Sequence, residues 1–461
     1  MKTIRTIMSL LVALILIAHT GAQTNPPTFG GEMIIPKNPE PCLSQSAREA
    51  LKVTIEENIE QLRIAGALQD IDPEGGHPLF DWPVGQAGGF DYNLNWSISN
   101  YIDHNPAYPN QITDYNCGTR SYDTNNGYNH QGYDIISWPF WWKQMERNQA
   151  VNLAAADGQI VAKQDGAFDM NCAFSNDPWN GIALQHSDGS LTYYLHMKSG
   201  ALTTKGIGDS VTQGEFLGVI GSSGSSTIPH LHFETYDSAT QLIDPNIGPC
   251  NNWNLDTWWN SQKPYLNPAI NAVLTHSNTP VFPSCPGVEI TYESDQFDLG
   301  DTVYYGLYLR DQMAGTSVHL KITKPDSSIF QEWDYTLTDN FQVSWWMWFY
   351  QVDMEGSWTW EATYQGDTVS HTFNVGQLGA SENELTNTIV FPNPATSEML
   401  IQSDHQIIEV SFVDLLGRTI SEVKDMHGIF LLDVSSFSKG MYFVTLTSNM
   451  GKTKTINLIK N

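Results

Sequence analysis

The sequence predicts a mainly β protein, with three β domains behind a single N-terminal helix. Three observations point there. Between about Trp82 and Pro249, short apolar stretches are split by Gly, Asn and Asp, the texture of strands joined by tight turns. From about Pro280 to Val375, apolar and polar residues alternate with the two-residue period of half-buried strands. One clear stretch, Ser46 to Ala67, carries the helical period, with Leu51, Ile55, Ile59 and Leu62 recurring on one face. A chain of 461 residues is long enough for two to four cores.

Taken in order, residues 1–22 read as a secretory signal peptide. Lys2 and Arg5 precede an apolar run from Ser9 to Ala18, and Thr20-Gly21-Ala22 offers small residues for cleavage. The run is too short to span a bilayer comfortably, and no later stretch is a candidate span. Residues 23–81 form a Pro-rich spacer and the helix, whose Ser46 and Glu49 have the spacing of a capping box. This helix is expected to lie across the next domain or to act as a pro-segment.

The domain assigned to residues 82–275 contains expected strands at Val151 to Val161, Gly181 to His186, Leu191 to His196 and Glu215 to Ile220. Asp157-Gly158 and Asp188-Gly189 are hairpin signals. Residues 280–375 suggest an immunoglobulin-like sandwich, in which Val318, Leu320 and Ile322 alternate with polar residues, as do Trp358, Trp360, Ala362 and Tyr364. Its tryptophans are expected in a core rather than on a carbohydrate-binding face. A polar linker at 376–388 leads to a last β domain, 389–461, with a basic tail (Lys452, Lys454, Lys460).

Charge excludes some partners. With 22 basic against 50 acidic residues the net charge is −28, which repels nucleic acid and anionic membrane. Substrate recognition must then come from a shaped groove. The cysteines Cys42, Cys117, Cys172, Cys250 and Cys285 contain no CxxC pair, so a four-cysteine metal site is not expected. Export permits disulfides, and an odd count leaves at least one thiol over.

The chemistry lies in histidines. His130-Gln-Gly-Tyr-Asp134 and His230-Leu-His232-Phe-Glu234 are the two decisive motifs. Side chains two apart on a strand share a face, so His230 and His232 can point into one groove, one binding a metal and the other beside its water. Imidazole and carboxylate ligands with a fourth position left open describe catalytic zinc. A third histidine, His196, ends the expected strand Leu191-Thr-Tyr-Tyr-Leu-His196. Glu234 shares the strand face and reads as a supporting or structural group. His186 reads as ordinary.

The order of motifs is specific. His130-Gln-Gly-Tyr-Asp134-Ile is followed by Ala155-Ala-Asp-Gly158, Tyr194-Leu-His196-Met, Gly214-Glu-Phe-Leu-Gly218, Gly221-Ser-Ser-Gly224 and His230-Leu-His-Phe-Glu234. This pattern, over roughly His130 to Pro245, resembles the lysostaphin and LytM-type zinc endopeptidases. The resemblance implies a LytM-like β-sheet metallopeptidase domain with a core at 130–245, and one zinc ion held by His130, Asp134 and His232. It implies His230 as general base and His196 as the group that positions water and steadies the oxyanion. The implied substrates are peptidoglycan cross-link peptides or glycine-rich proteins.

Trp138-Pro-Phe-Trp-Trp-Lys-Gln-Met145 departs from the short form of that family, and is expected to wall the groove or pack against the N-terminal helix. Ile102-Asp-His104 has no assigned role. At the C-terminus, Phe391-Pro-Asn-Pro-Ala395, Val413-Asp-Leu-Leu-Gly-Arg418 and Gly440-Met-Tyr-Phe443 resemble the type IX secretion sorting domain of Bacteroidetes. That implies the type IX machinery as a partner, and a secreted or surface location after passage through both membranes. The rival readings are a non-catalytic LytM-like binding module, for which lost ligands would be the mark, and a surface adhesin working through the sandwich.

Overall fold

The computed structural model describes residues 28–36, 40–72, 76–90, 92–173, 177–282, 289–376, 385, 388–403, 406–414, 417–424, 430–449 and 453–461. The expected signal peptide, most of the 376–388 linker, Lys452 and Cys285 lie outside these residues. The chain is mostly β.

Two sheets carry the first domain. The larger runs, in spatial order, through Ser210–Val211, Gly158–Gln164, Gly181–Gln185, Leu191–Leu195, His230–Tyr236, Tyr133–Ser137 and Trp96–Asn100, with Leu242–Ile243 paired to His230–Tyr236. The smaller comprises Val84–Gln86, Ala150–Leu153, Phe216–Ile220 and Met197–Leu202. Alternation sorts the large sheet's faces. Tyr133, Ile135, Tyr194, Leu231 and Phe233 point into the core shared with Leu217 and Ile220 of the small sheet. The opposite face carries His230, His232 and Glu234.

Val151 to Val161 is not one strand. It forms Ala150–Leu153 in the small sheet and Gly158–Gln164 in the large one, so Asp157-Gly158 opens a strand after a crossing between layers and turns no hairpin. Asp188-Gly189 does turn a hairpin: Gly181–Gln185 pairs antiparallel with Leu191–Leu195, and Gly189 sits at φ 89°.

Helix α1 spans Gln45–Ala65. Its cap is Ser44, whose backbone is extended and whose hydroxyl accepts from the Ala47 N–H at 3.3 Å. The capping box expected at Ser46 does not form, because Ser46 is already inside the helix and the residue three after the true cap is Ala47. Gly66, in the left-handed region at φ 65°, ends the helix by donating to the Arg63 and Leu62 carbonyls. Leu51 and Ile55 are buried against Val161, Ala183 and Leu195 on the histidine-bearing face of the large sheet.

The sandwich packs a four-stranded sheet (Phe29–Glu32, Phe341–Gln351, Thr302–Gln312, Ala269–His276) on a five-stranded one (Gln296–Phe297, Asp367–Val375, Gly356–Tyr364, Ser317–Thr323, Ile329–Thr336). Its edges include segments from outside 280–375: Phe29–Glu32 pairs with Phe341–Gln351, and Ala269–His276 pairs with Thr302–Gln312. Trp348, Trp358 and Trp360 are wholly buried in its core.

The aromatic insertion neither walls the groove nor touches α1. Helix α2, Trp141–Glu146, and Trp138 are buried against the sandwich, packing with Tyr308, Val343 and Leu274, and the Trp138 indole N–H donates to the Leu309 carbonyl. Large flat side chains serve better there, as mortar between two domains. The last domain has a three-stranded and a four-stranded sheet, and its Ile389 and Phe391 pack on Ala87, Val151 and Phe216 of the first domain.

Cys117 and Cys250 form one disulfide, Cys172 is also disulfide-bonded, and Cys42 is a buried thiol.

Candidate metal centre

Strand register builds the site. His232 stands directly opposite Asp134 across the pair of strands His230–Tyr236 and Tyr133–Ser137. Directly paired residues have Cβ atoms about 4.5–5.5 Å apart, so their side-chain tips meet. His130 precedes the Asp134 strand and turns back onto it. Its Nε2 lies 3.3 Å from His232 Nδ1 and 3.1 Å from Asp134 Oδ2, while His232 Nδ1 lies 2.7 Å from Asp134 Oδ1. His130 and His232 have no exposed surface, and Asp134 is 4% exposed.

The far nitrogen of every ring is held. His130 Nδ1 is 2.8 Å from the Tyr101 carbonyl, and His232 Nε2 is 2.7 Å from Glu234 Oε1. His230 Nδ1 is 2.8 Å from the Ile228 carbonyl, and His196 Nδ1 is 2.6 Å from the Ser223 carbonyl. These acceptors fix which nitrogen carries the proton, leaving His130 Nε2, His232 Nδ1, His230 Nε2 and His196 Nε2 to face one another. His196 reaches this position through a left-handed backbone, φ 66°, at the end of its strand. Such a conformation is costly for a non-glycine residue and marks a constraint on where the ring must point.

Glu234 is therefore a supporting group. It accepts from His232 and from Tyr236, and the Arg48 guanidinium of α1 binds both of its oxygens. Asn100 Nδ2 donates to Asp134 Oδ2 at 2.9 Å. Beneath these side chains, a Cβ on Gly132 would lie 2.7–2.8 Å from the His232 ring, so only glycine fits there.

The field at the site favours positive charge. Burial pushes the His130 ring towards neutrality, but the Asp134 carboxylate outweighs it and raises its pKa to about 9. Burial likewise opposes ionisation of Asp134, and His130 holds it well below the usual carboxylate range. His196 goes the other way, lowered by burial and then by His230.

The donor set could hold a metal ion. Bonds of about 2.0–2.1 Å to a tetrahedral ion place donor atoms about 3.3–3.4 Å apart; the His130 and His232 nitrogens stand 3.3 Å apart, and each is closer to an Asp134 oxygen, at 3.1 and 2.7 Å. The ligand atoms of His130, Asp134 and His232, together with Cys42 Sγ, all lie within 4.8 Å of one another.

Residues 146–245 match peptidase family M23, and residues 389–461 match the secretion system C-terminal sorting domain. The chain carries an M23 peptidase domain. The match to M23 contains His196, His230 and His232 and begins after His130 and Asp134. Three curated relatives share this region. An uncharacterized metalloprotease of Buchnera aphidicola is 35% identical over 95 residues, covering 20% of this chain and 24% of that protein. The cell division protein DipM of Caulobacter vibrioides is 34% identical over 110 residues, covering 22% and 17%. The peptidoglycan DD-endopeptidase ShyC of Vibrio cholerae is 30% identical over 92 residues, covering 20% of each. The chain thus spans about a fifth of the length of these M23 relatives. Among solved structures, an Escherichia coli alpha-2-macroglobulin aligns at TM-score 0.23 and 12% identity, covering 42% of this chain and 20% of that one.

Other sequence-marked residues have structural roles. His104 Nε2 meets Asp244 Oδ2 at 2.9 Å, and His186 bridges the Asp157 carbonyl and Thr192. Sequence reasoning missed Cys42 and Arg48. The thiol left over by an odd cysteine count was the signal for the first. Nothing marked the second, which depends on where α1 docks.

Proposed function

We propose that the protein is an exported zinc endopeptidase, with His130, Asp134 and His232 as the metal ligands. The supporting observation is the convergence of these three donors, each ring held by a carbonyl or carboxylate on its far side. A bound zinc ion supplies Lewis acidity, acidifying water and polarising the scissile carbonyl.

The remaining steps fall to the chain. His230 presents an Nε2 lone pair, because its Nδ1–H is committed to Ile228; it takes a proton from the attacking water and returns it to the leaving amine. Neutral His196 orients that water by accepting a hydrogen bond at Nε2. The name of one relative, the peptidoglycan DD-endopeptidase ShyC, supports peptide bonds of peptidoglycan as the substrate class, with glycine-rich protein as the alternative. The sorting domain supports export through the type IX machinery to the surface or the medium, and no described helix is long and apolar enough to cross a membrane.

The test pairs hydrolysis of purified peptidoglycan and of a glycine-rich peptide with metal content by mass spectrometry, on the wild type and His232→Ala, each before and after proteolytic removal of the N-terminal segment. Cleavage and about one zinc per chain in the wild type, both lost in the variant, are expected. Absence of bound zinc in the wild type would overturn the reading.

A further inference from the structure

Cys42 lies immediately before α1, in a segment unrelated in sequence to the histidine motifs. Yet it is 2% exposed, and its Sγ accompanies the ligand atoms of His130, Asp134 and His232 within 4.8 Å. The same sulfur stands within 4.8 Å of His196 and His230. Tyr122 Oη meets it at 2.8 Å. Independently, His196 Nε2 is buried without a hydrogen-bond partner among the described residues, and its ring lies against that of His230 beside the sulfur.

We propose that Cys42 is a fourth metal ligand, which closes the M23 centre and keeps this chain latent until the segment bearing α1 is displaced. A catalytic site keeps one coordination position for water, whereas His130, Asp134, His232 and Cys42 make four protein ligands, the number of a closed structural site. The thiol gives its proton to solvent on binding the ion and takes one back on leaving, with no change of oxidation state.

The rest of the segment is built to hold and then release. Helix α1 covers the face on which substrate must lie, anchored by Leu51 and Ile55 and by Arg48 on Glu234. Two buried aliphatic side chains and one ion pair are enough to dock a helix and little enough for it to be displaced. The same Glu234 orients ligand His232, so departure of Arg48 also alters the support of the metal site.

This inference rests on the metallopeptidase reading, and cobalt separates the two. Full-length protein loaded with Co(II) is expected to show a thiolate-to-cobalt charge-transfer band that Cys42→Ser lacks while still binding cobalt. In the zinc-loaded wild type, Cys42 should resist alkylation until a chelator is added. Trypsin digestion at Lys37 and within α1, which cuts the chain on both sides of Cys42, should abolish the cobalt band and, in the zinc form, raise peptidoglycan hydrolysis about tenfold or more, the factor expected when a ligand worth about 1.4 kcal/mol is withdrawn. Cobalt bound without the band, or the same band in Cys42→Ser, overturns the ligand assignment and leaves the enzyme reading intact. No cobalt bound and no hydrolysis before or after digestion overturns the enzyme reading itself. Should Cys42→Ser misfold by circular dichroism, the wild-type alkylation experiment decides alone: equal labelling with and without chelator refutes the proposal.

Discussion

Replacing Glu234 by Gln tests how the metal site is tuned from behind. Glu234 has no exposed surface, receives the His232 Nε2–H at 2.7 Å and is bound at both oxygens by Arg48. The amide preserves shape and can still accept from His232, but it removes the negative charge that makes Nδ1 a stronger donor to an ion. Losing such a partner lowers metal affinity by roughly 10–100-fold, equivalent to about 1.4–2.8 kcal/mol. A second effect must be separated. Arg48, 14% exposed, loses its counter-charge, and breaking one side of a buried pair costs about 3–5 kcal/mol unless the group escapes to water. Here it can escape by undocking α1, which caps the penalty at the helix's own docking energy.

The assay is competitive zinc titration against a chromophoric chelator, in a Cys42→Ser background so that helix release does not itself change the ligand count. Urea melts run in parallel. Glu234→Gln should lose both affinity and stability. Glu234→Gln with Arg48→Met should recover most of the stability and none of the affinity. Unchanged affinity in the single variant, or full recovery in the double, refutes coupling through the His232 ring.

Other outcomes follow from separate features. Gly132→Ala should drive a methyl into the His232 ring, lowering bound metal by at least about tenfold at a cost of about 1–3 kcal/mol in a urea melt, as for other overpacked sites. Glu289, buried and accepting from the Lys143 N–H at 2.6 Å, has its pKa pushed up by burial to about 8. The native state therefore keeps it neutral: its contribution to stability is whole below the ordinary carboxyl range and is lost as pH rises towards about 8. Melts from pH 5 to 9 should fall more steeply in the wild type than in Glu289→Gln, by on the order of a few kcal/mol across the window; parallel curves would refute this. Trp360→Ala should destabilise the sandwich by about 3–5 kcal/mol, since the indole is wholly buried and donates to the Gly306 carbonyl at 3.0 Å; calorimetry measures it.

The legible parts of the sequence were those written in local periodicity. The two-residue spacing of His230 and His232 put them on one face because the segment is a strand, and the hairpin at Asp188-Gly189 was carried by turn chemistry alone. Layer assignment was not local. Ala150–Leu153 and Gly158–Gln164 look like one apolar run, because both are buried, yet they belong to different sheets. The insertion at Trp138 reads as a groove wall or as packing for the N-terminal helix, because nothing in it records that Tyr308 and Val343 wait on another domain. Arg48 was the least visible, since its meaning lies in a carboxylate 186 residues away.

The strand Phe29–Glu32 adds a consequence for timing. It is hooked to Phe341–Gln351 in the sandwich, so the covering helix is moored at both ends, upstream through this strand and downstream through the continuing chain. One proteolytic nick frees neither. A nick after α1 leaves the helix leashed to the sandwich, and a nick before Cys42 leaves it leashed to the catalytic domain. A leashed segment returns at an effective concentration on the order of millimolar. Activation should therefore require two cuts and follow a sigmoid time course with a lag, the first cut loading the spring and the second letting it go.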